Sequence, residues 1–244
     1  MSFAISSPFL RGLAVAAFAI VVWCGGGMEA KADAYQCPPF EEPQITITPL
    51  MPSPRTNDNV SLAQIWQLSD RTITTYAGLR EVPVGLTAAS MRLSSALDVT
   101  SRSMPGEQMV CTQITHLDLQ FGFEDTVVYL ARELSRPSCA YDVVQEHESK
   151  HLAVDRQILE AYVQQLPPLL ADMLRQTGVI RASSPAAAEA QLHAMMNTYL
   201  QELGASIASV RERQQRQIDT PEEYKRLSAS CDGEIARMVR GEGE

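Results

Sequence analysis

Hydrophobic and polar residues alternate over residues 110–130, and this period of two is typical of a β-strand with one buried face. Within 110–123 the apolar positions that carry the alternation are Leu117, Leu119, Phe121 and Phe123. The acidic pair at 124 and 125 predicts a turn, and the β-branched and aromatic residues of 126–130 predict a second strand. We therefore expect these two segments to form a hairpin.

Weaker patterns occur elsewhere in the first half of the chain. Short strands are predicted over 44–48, 72–76 and 82–84, and Pro49 ends the first of them. Residues 88–97 fit either a helix or a strand. A short helix is predicted around 62–66, with Asp58 or Asn59 as its cap.

The second half of the chain changes to helical periodicity. Apolar residues recur at helical spacing over 140–166, where Pro167 and Pro168 are expected to break the helix. A short helix over 169–176, a long one from Pro185 to about 217 and a last one from Pro221 to about 240 are predicted to follow.

These patterns predict an α+β fold, in which a small antiparallel sheet packs on the 140–166 helix and a helical C-terminal half follows. We divide the chain into a signal peptide (1–34), a sheet and metal-helix domain (35–166) and a helical region packed on it (167–244). The signal peptide is indicated by the charged residue Arg11, the apolar run 12–24 and the small-x-small site 32–34. Release after cleavage, with no stable membrane span, is favoured over a retained N-terminal anchor.

Charge and cysteine content indicate in which compartment the protein occurs and which classes of partner it does not bind. The net charge of −9 gives the protein no reason to bind nucleic acid or anionic lipid. Four cysteines remain after the signal peptide, an even number that predicts two disulfides in a secreted or periplasmic protein. Three pairings are possible; we favour Cys111 with Cys139, since both flank the segment leading into the 140–166 helix, and Cys37 with Cys231.

The centre of the 140–166 helix carries the pattern H-E-x-x-H, formed by His147, Glu148 and His151. Positions i and i+4 share one face of a helix, so both imidazoles can reach a single zinc ion beside it. The carboxylate of Glu148 then lies next to a zinc-bound water and can take its proton, which is the arrangement for peptide-bond hydrolysis. The alternative is a pair of structural, hydrogen-bonded histidines.

The same residues carry a resemblance to a known family. The H-E-x-x-H core resembles the zincin metallopeptidases, and residues 110–165 are similar to a group of bacterial predicted secreted zinc-dependent proteases. Beyond the core, the similarity rests on Cys111 at the start of an alternating strand and on the entry into the helix at Ser138-Cys139-Ala140-Tyr141. The resemblance implies that His147 and His151 bind zinc and that Glu148 is the general base.

The third zinc ligand has to come from another element. Asp155 continues the four-residue series, but it lies about 9 Å along the helix axis from the ion, so we expect it to accept the free ring N–H of His151 instead. The alternative is a solvated carboxylate or a salt bridge. His193 is our preferred third ligand, because it lies beside the apolar stripe of the long helix. The alternatives that stay open are Glu189, Glu202, Asp219 and His116.

The sequence therefore predicts a secreted or periplasmic zinc peptidase that acts on a peptide or protein substrate. A strand over 110–123 or 126–130 is expected to form the edge of its cleft, and the alternative is an ordinary sheet strand that binds no substrate. Possible partners for the oxyanion are Tyr141, Tyr162 and Arg156. The alternative function is a non-catalytic envelope protein, stabilised by zinc or binding a partner through its C-terminal helices.

Overall fold

A computed structural model of the chain describes residues 36–69, 83–104, 106–134 and 136–242. The predicted signal peptide (1–34) and the weak strand over 72–76 lie outside the described residues. The chain from Gln36 onward forms one compact unit. Its elements, in chain order, are β1 (Gln44–Leu50), β2 (Arg55–Val60), α1 (Leu62–Leu68), β3 (Gly85–Ser103), β4 (Val110–Ala131), α2 (Cys139–Thr177), β5 (Ile180–Ala182), α3 (Pro185–Arg216), α4 (Pro221–Ala229), a 3-10 turn (Cys231–Gly233) and α5 (Glu234–Arg240).

The long strand β4 is the centre of the sheet. Strand β3 pairs antiparallel with β4, and the pairing extends over almost the whole length of β4. Three short strands pair with successive parts of β4: β5 antiparallel at its start, β1 parallel in its middle and β2 parallel at its end. The prediction of a mixed helix and strand fold is thus confirmed, whereas the prediction of an antiparallel sheet is wrong, because β1 and β2 run parallel to β4.

The predicted hairpin within 110–130 is also wrong. β4 continues through residues 124 and 125, and its antiparallel partner is β3, which includes the ambiguous segment 88–97. Ala88 pairs with Val127 and Ser90 pairs with Glu124, so two residues of β4 oppose one of β3. This β-bulge accommodates Asp125 in a left-handed conformation (φ 52°) and lets the strand continue.

The alternating residues of β4 form the main hydrophobic core together with α2 and α3. All four predicted apolar positions of 110–123 are buried, which confirms the period of two. Helix α2 contributes Ile158, Leu166, Leu170 and Leu174 to this core, and α3 contributes Leu192, Met196, Leu200 and Ile207. Burial of each such side chain is worth about 1.5–3 kcal/mol, and this packing fixes α2 and α3 relative to the sheet.

Helix α2 runs without interruption through Pro167 and Pro168, so the predicted break is wrong. Both prolines are exposed, while Leu166 and Leu170 on either side are buried in the core. Packing of this face outweighs the cost of about 3 kcal/mol that a proline imposes inside a helix. The helix ends at Thr177 and is capped by Gly178, which has a φ of 58°. The predicted boundary after residue 166 therefore lies inside one helix.

The remaining helices agree with the patterns except at two places. The residue that caps α1 through its hydroxyl is Ser61, which follows both predicted caps, Asp58 and Asn59, and has Gln64 as its reciprocal partner. The predicted last helix is divided into α4 and α5 by Cys231, Asp232 and Gly233, which all have positive φ. None of the helices within the described ranges combines the length and the apolarity that a bilayer crossing requires.

Two disulfides are present, as the even cysteine number predicts, but their pairing differs from the favoured one. Cys37 is bonded to Cys111 and Cys139 to Cys231. The favoured pairings of Cys111 with Cys139 and of Cys37 with Cys231 are both wrong. Cys111 is the second residue of β4, where the N-terminal arm reaches it, whereas Cys139 begins α2, where the C-terminal turn packs. Two disulfides are compatible with an extracellular or periplasmic location.

Candidate metal centre

The H-E-x-x-H residues lie on the buried face of α2. The exposed fractions are 4% for His147, 3% for Glu148 and 9% for His151. Val144 precedes them and Ile158 follows them on the same face, so the packing of α2 turns the motif away from solvent. Three polar side chains buried this deeply need partners, and the C-terminal half of the chain supplies most of them.

Asp219 brings a carboxylate oxygen to both imidazoles. Its Oδ1 lies 3.3 Å from His147 Nε2 and 3.1 Å from His151 Nε2. The two Nε2 atoms are 3.4 Å apart. Asp219 follows α3 and directly precedes Thr220, the residue that caps α4. The end of one helix and the start of the next thus hold this carboxylate over the motif.

The opposite ring nitrogens have separate acceptors, and these assign the tautomers. His147 Nδ1 donates to Glu223 Oε1 at 3.2 Å, and His151 Nδ1 donates to Gln215 Oε1. With a proton on each Nδ1, each neutral ring presents a lone pair at Nε2. Two nitrogen lone pairs and a carboxylate oxygen then face one point, where either a proton shared with Asp219 or a metal ion relieves their mutual repulsion.

The spacing of these three atoms fits a metal ion. Bonds of about 2.0–2.2 Å in tetrahedral geometry separate neighbouring ligand atoms by about 3.3–3.5 Å. The observed separations of 3.1, 3.3 and 3.4 Å are close to this value. His147, His151 and Asp219 therefore form a group that can hold a metal ion. It is the one such group of three or more metal-binding side chains within the described residues.

The carboxylate of Asp219 and the imidazoles stabilise each other's charged forms. Burial acts to raise the pKa of Asp219, but hydrogen bonds from His147 and His151 outweigh it and hold that pKa well below its usual range. Burial acts to lower the pKa of His151, yet the hydrogen bond and the charge of Asp219 raise it above its usual value. The carboxylate thus stays ionised and attracts positive charge to this point.

Glu148 lies beside the group and is held from the sheet side. Its Oε2 accepts a hydrogen bond of 2.8 Å from Thr87 Oγ1 on β3. Gly85, also on β3, makes room for the carboxylate, because a Cβ there would lie only 2.6 Å from Glu148 Oε1. Burial raises the pKa of Glu148, while the charges of His151 and His147 and the Thr87 bond oppose the rise.

Asp155 has a different partner from the predicted one. Its carboxylate accepts two hydrogen bonds from Arg211, at 2.7 and 2.8 Å, and a third of 2.9 Å from Gln215 Nε2. Gln215, and not Asp155, accepts the Nδ1 proton of His151. The predicted hydrogen bond between Asp155 and His151 is wrong, because the Gln215 side chain lies between these two residues. Asp155 acts on the histidine through Gln215.

The predicted third ligand, His193, does not join the group. Its side chain is 46% exposed on α3 and lies 3.8 Å from Glu189 Oε1 on the same surface. His193 follows the buried Leu192 in sequence, but its side chain points to solvent. A position beside the apolar stripe therefore does not bring this side chain into the core. Of the open alternatives, Glu202 is exposed, and His116 contacts Thr46 and Asp118. The remaining alternative, Asp219, is the residue that meets the histidines.

The predicted oxyanion partners have other surroundings. Tyr141 is buried in the second hydrophobic cluster, with the guanidinium of Arg136 4.7 Å from its ring centre. Tyr162 packs edge-on against Phe121. Arg156 is exposed on α2. The two tyrosines thus pack against other side chains and Arg156 lies at the surface. None of these contacts is with His147 or His151.

Sequence reasoning missed Gln215, Glu223 and Thr87. A signal for the first two was present, because Gln215, Asp219 and Glu223 follow one another at four-residue spacing, like the histidines. All three contact the histidine pair. Thr87 gives no local signal, since only the pairing of β3 brings it to α2.

We compared the chain with protein-family models, with curated proteins and with solved structures. No family model matches it, no curated protein matches it and no solved structure matches it.

Proposed function

We propose that this protein is a secreted or periplasmic zinc-dependent peptidase whose zinc ligands are His147, His151 and Asp219. The observation that carries the proposal is the convergence of two Nε2 lone pairs and Asp219 Oδ1 at one point, with the buried Glu148 beside it. The resemblance of the motif to the zincin metallopeptidases supports the same class of reaction.

The donor set favours zinc over magnesium and calcium. Two imidazole nitrogens with one carboxylate oxygen suit zinc better than magnesium or calcium, which prefer oxygen ligands throughout. Three protein ligands leave one of the four tetrahedral positions open, as in catalytic zinc sites, whereas structural sites have four protein ligands.

A zinc ion bound here supplies a Lewis acid that acidifies water and polarises the carbonyl of the bond to be cleaved. Glu148 is the residue that accepts the proton from water and returns it to the nitrogen of the leaving amine. Thr87 fixes the orientation of that carboxylate through its 2.8 Å hydrogen bond.

The substrate is an extended peptide that adds to the edge of the sheet at β3. The cleft edge predicted within 110–130 is wrong, since β4 has strands on both of its sides. Among the described strands, β3 pairs only with β4, and its residues Gly85 and Thr87 contact Glu148. A main chain bound along β3 by hydrogen bonds therefore passes close to the base.

A second candidate function is a metal site that only fastens the C-terminal segment to α2, in a protein that catalyses nothing. The observation in its favour is that the three proposed ligands come from two separate parts of the chain and would be linked by the ion. It gives no reason for a buried carboxylate at position 148, so we rank it second.

The test combines metal analysis with a peptidase assay on the mature protein, residues 35–244. We expect Glu148→Gln to keep its zinc and to lose about 100-fold or more of the activity, the usual contribution of a general base. Glu146→Gln is the matched control, since Glu146 is an exposed glutamate two residues earlier on α2. Zinc without activity in the unmodified protein would favour the second candidate, and absence of zinc would reject both.

A further inference from the structure

The C-terminal segment 215–223 does more than supply one ligand, because it also holds the far nitrogen of each histidine. Gln215 accepts the Nδ1 proton of His151, and Glu223 accepts that of His147. Each imidazole is therefore held from both ends by residues four positions apart.

The orientation of the Gln215 amide is fixed by its other contacts. Its Nε2 donates to Asp155 Oδ1 at 2.9 Å and to the main-chain oxygen of His151 at 3.2 Å. Asp155 is in turn held by Arg211 through two hydrogen bonds. Because both amide protons have acceptors, the amide oxygen is the atom that faces the ring.

Glu223 is fixed by cations on either side. Lys150 Nζ donates to its Oε1 at 2.7 Å, and Arg226 donates to both of its oxygens at 2.7 and 2.9 Å. With hydrogen bonds from two cationic side chains, this carboxylate serves His147 Nδ1 as an acceptor. Lys150 occupies one of the two variable positions of the motif, which gives that position a function in this chain.

We propose that Gln215 and Glu223 are positioning residues of the metal centre, which hold both histidines with the proton on Nδ1 and the lone pair of Nε2 toward Asp219. The inference rests on the proposed metal site and adds two residues to it. A histidine that loses such a partner is free to rotate or to exchange tautomers, and metal affinity falls.

Zinc affinity and the histidine tautomers test this proposal together. Gln215→Leu keeps the side-chain size and removes the acceptor, so we expect zinc to bind about 10–100-fold more weakly. Glu223→Leu should do the same, whereas Glu223→Gln keeps an acceptor oxygen and should retain most of the affinity. The matched control is Arg216→Leu, which replaces an exposed neighbour of Gln215 that pairs with Glu212.

Nitrogen-15 NMR of the metal-free proteins separates positioning from general stability. In the unmodified protein with both rings neutral, the protonated nitrogen should be Nδ1, and Gln215→Leu should shift His151 toward the other tautomer. Unchanged zinc affinity and unchanged tautomers in both leucine variants would overturn the proposal. Absence of zinc binding in the unmodified protein would instead reject the proposed function.

The disulfide pairing carries a second inference independently. Cys139 is the first residue of α2, and Cys231 lies eight residues after Glu223. Beyond residue 217, the described chain has just two buried side chains, Leu227 and Ile235. The Cys139–Cys231 disulfide is therefore a main attachment between α2, which carries the histidines, and the C-terminal segment, which carries Asp219 and Glu223.

We infer that the metal centre forms fully only when Cys139 and Cys231 are joined, so that metal binding depends on export to an oxidising compartment. The link keeps Asp219 and Glu223 at high effective concentration next to the histidines, and its loss lets the segment move away. The Cys37–Cys111 disulfide connects the N-terminal arm to β4 and provides a control for the general effect of losing a disulfide.

The experiment compares zinc affinity in two double variants. Cys139→Ser with Cys231→Ser should bind zinc at least about tenfold more weakly than the unmodified protein, whereas Cys37→Ser with Cys111→Ser should stay within about twofold. Equal affinities in the two double variants would overturn the inference. Absence of zinc from the unmodified protein would again reject the proposed function itself.

Should the first variant fail to fold, the second variant gives the answer by another route. Its remaining disulfide is reduced after folding by a phosphine, which takes an oxygen from water as the S–S bond becomes two thiols. Zinc release from the folded protein should then become faster by about tenfold or more. An unchanged release rate would overturn the inference, and circular dichroism before and after reduction verifies that the fold persists.

Discussion

Gly85 is the residue on which the position of the Glu148 carboxylate most depends. A Cβ at this position would meet Glu148 Oε1 at 2.6 Å and Val144 Cγ1 at 2.9 Å. We expect Gly85→Ala to displace Glu148, to destabilise the protein by about 1–3 kcal/mol and to lower peptidase activity about 100-fold, while zinc stays bound. Thermal unfolding, zinc content and activity of the one variant check the three parts.

The control is another glycine whose environment has room. A Cβ at Gly204 in α3 would lie 3.7 Å from Leu93, an ordinary contact. Gly204→Ala should therefore leave activity unchanged and stabilise the helix by up to about 1 kcal/mol. Equal activity in Gly85→Ala and Gly204→Ala would contradict the role given to Glu148.

A second prediction at the scale of single residues concerns pH. Asp219 raises the pKa of His151 despite burial, so in the metal-free protein the protonated ring adds stability that is lost as the pH rises through that pKa. Zinc needs the neutral ring and competes with the proton. The zinc-induced rise in melting temperature should thus be larger at about pH 8 than at about pH 6. A rise of the same size at both values would contradict this competition.

Single residues also show how far the sequence could predict the site. His147, Glu148 and His151 were found because one helix carries them, and helical spacing alone brings them together. Asp219 was one of several open alternatives, since its distance from α2 depends on how α3 and α4 pack. His193 was preferred because it adjoins the apolar stripe, and one position around a helix separates a buried residue from an exposed one.

At the scale of elements, α2 is unusual because Pro167 and Pro168 both lie in its interior. Neither proline can donate a main-chain hydrogen bond, yet the helix continues through both and their side chains are exposed. We expect Pro167→Ala and Pro168→Ala each to stabilise the protein by about 1 kcal/mol or more, as measured by chemical unfolding. Pro185→Ala is the control, because Pro185 is in the first turn of α3, where proline is tolerated and no gain is expected.

Loss of stability in both variants of α2 would contradict this reasoning and would indicate that the double proline is required for the course of the helix.

The elements divide into those that local pattern determines and those that pairing determines. The start of α3, the stop at Gly178 and the inward face of β4 follow from caps and periodicity. The hairpin within 110–130 failed because a β-bulge with Asp125 in the left-handed region can replace a turn. The parallel pairing of β1 and β2 with β4 depends on contacts distant in sequence, which local pattern does not contain.

At the scale of the whole molecule, the C-terminal segment returns to the start and the centre of α2. It is joined there by the Cys139–Cys231 disulfide and by the contacts of Gln215, Asp219 and Glu223 with the histidines. The cysteine number was predictable from composition, whereas the pairing was not, because it depends on which end of α2 the last helices approach. The fold and the proposed metal centre thus depend on the same long-range return of the chain.

The zinc content of the mature protein, measured beside that of its Asp219→Ala and His193→Ala variants, distinguishes the two candidates for the third ligand. We expect one zinc ion per chain in the unmodified protein and in His193→Ala, and little or none in Asp219→Ala after dialysis against a weak chelator. Retention of zinc by Asp219→Ala together with its loss from His193→Ala would contradict the assignment of Asp219, and the absence of zinc from all three proteins would contradict the metal centre itself.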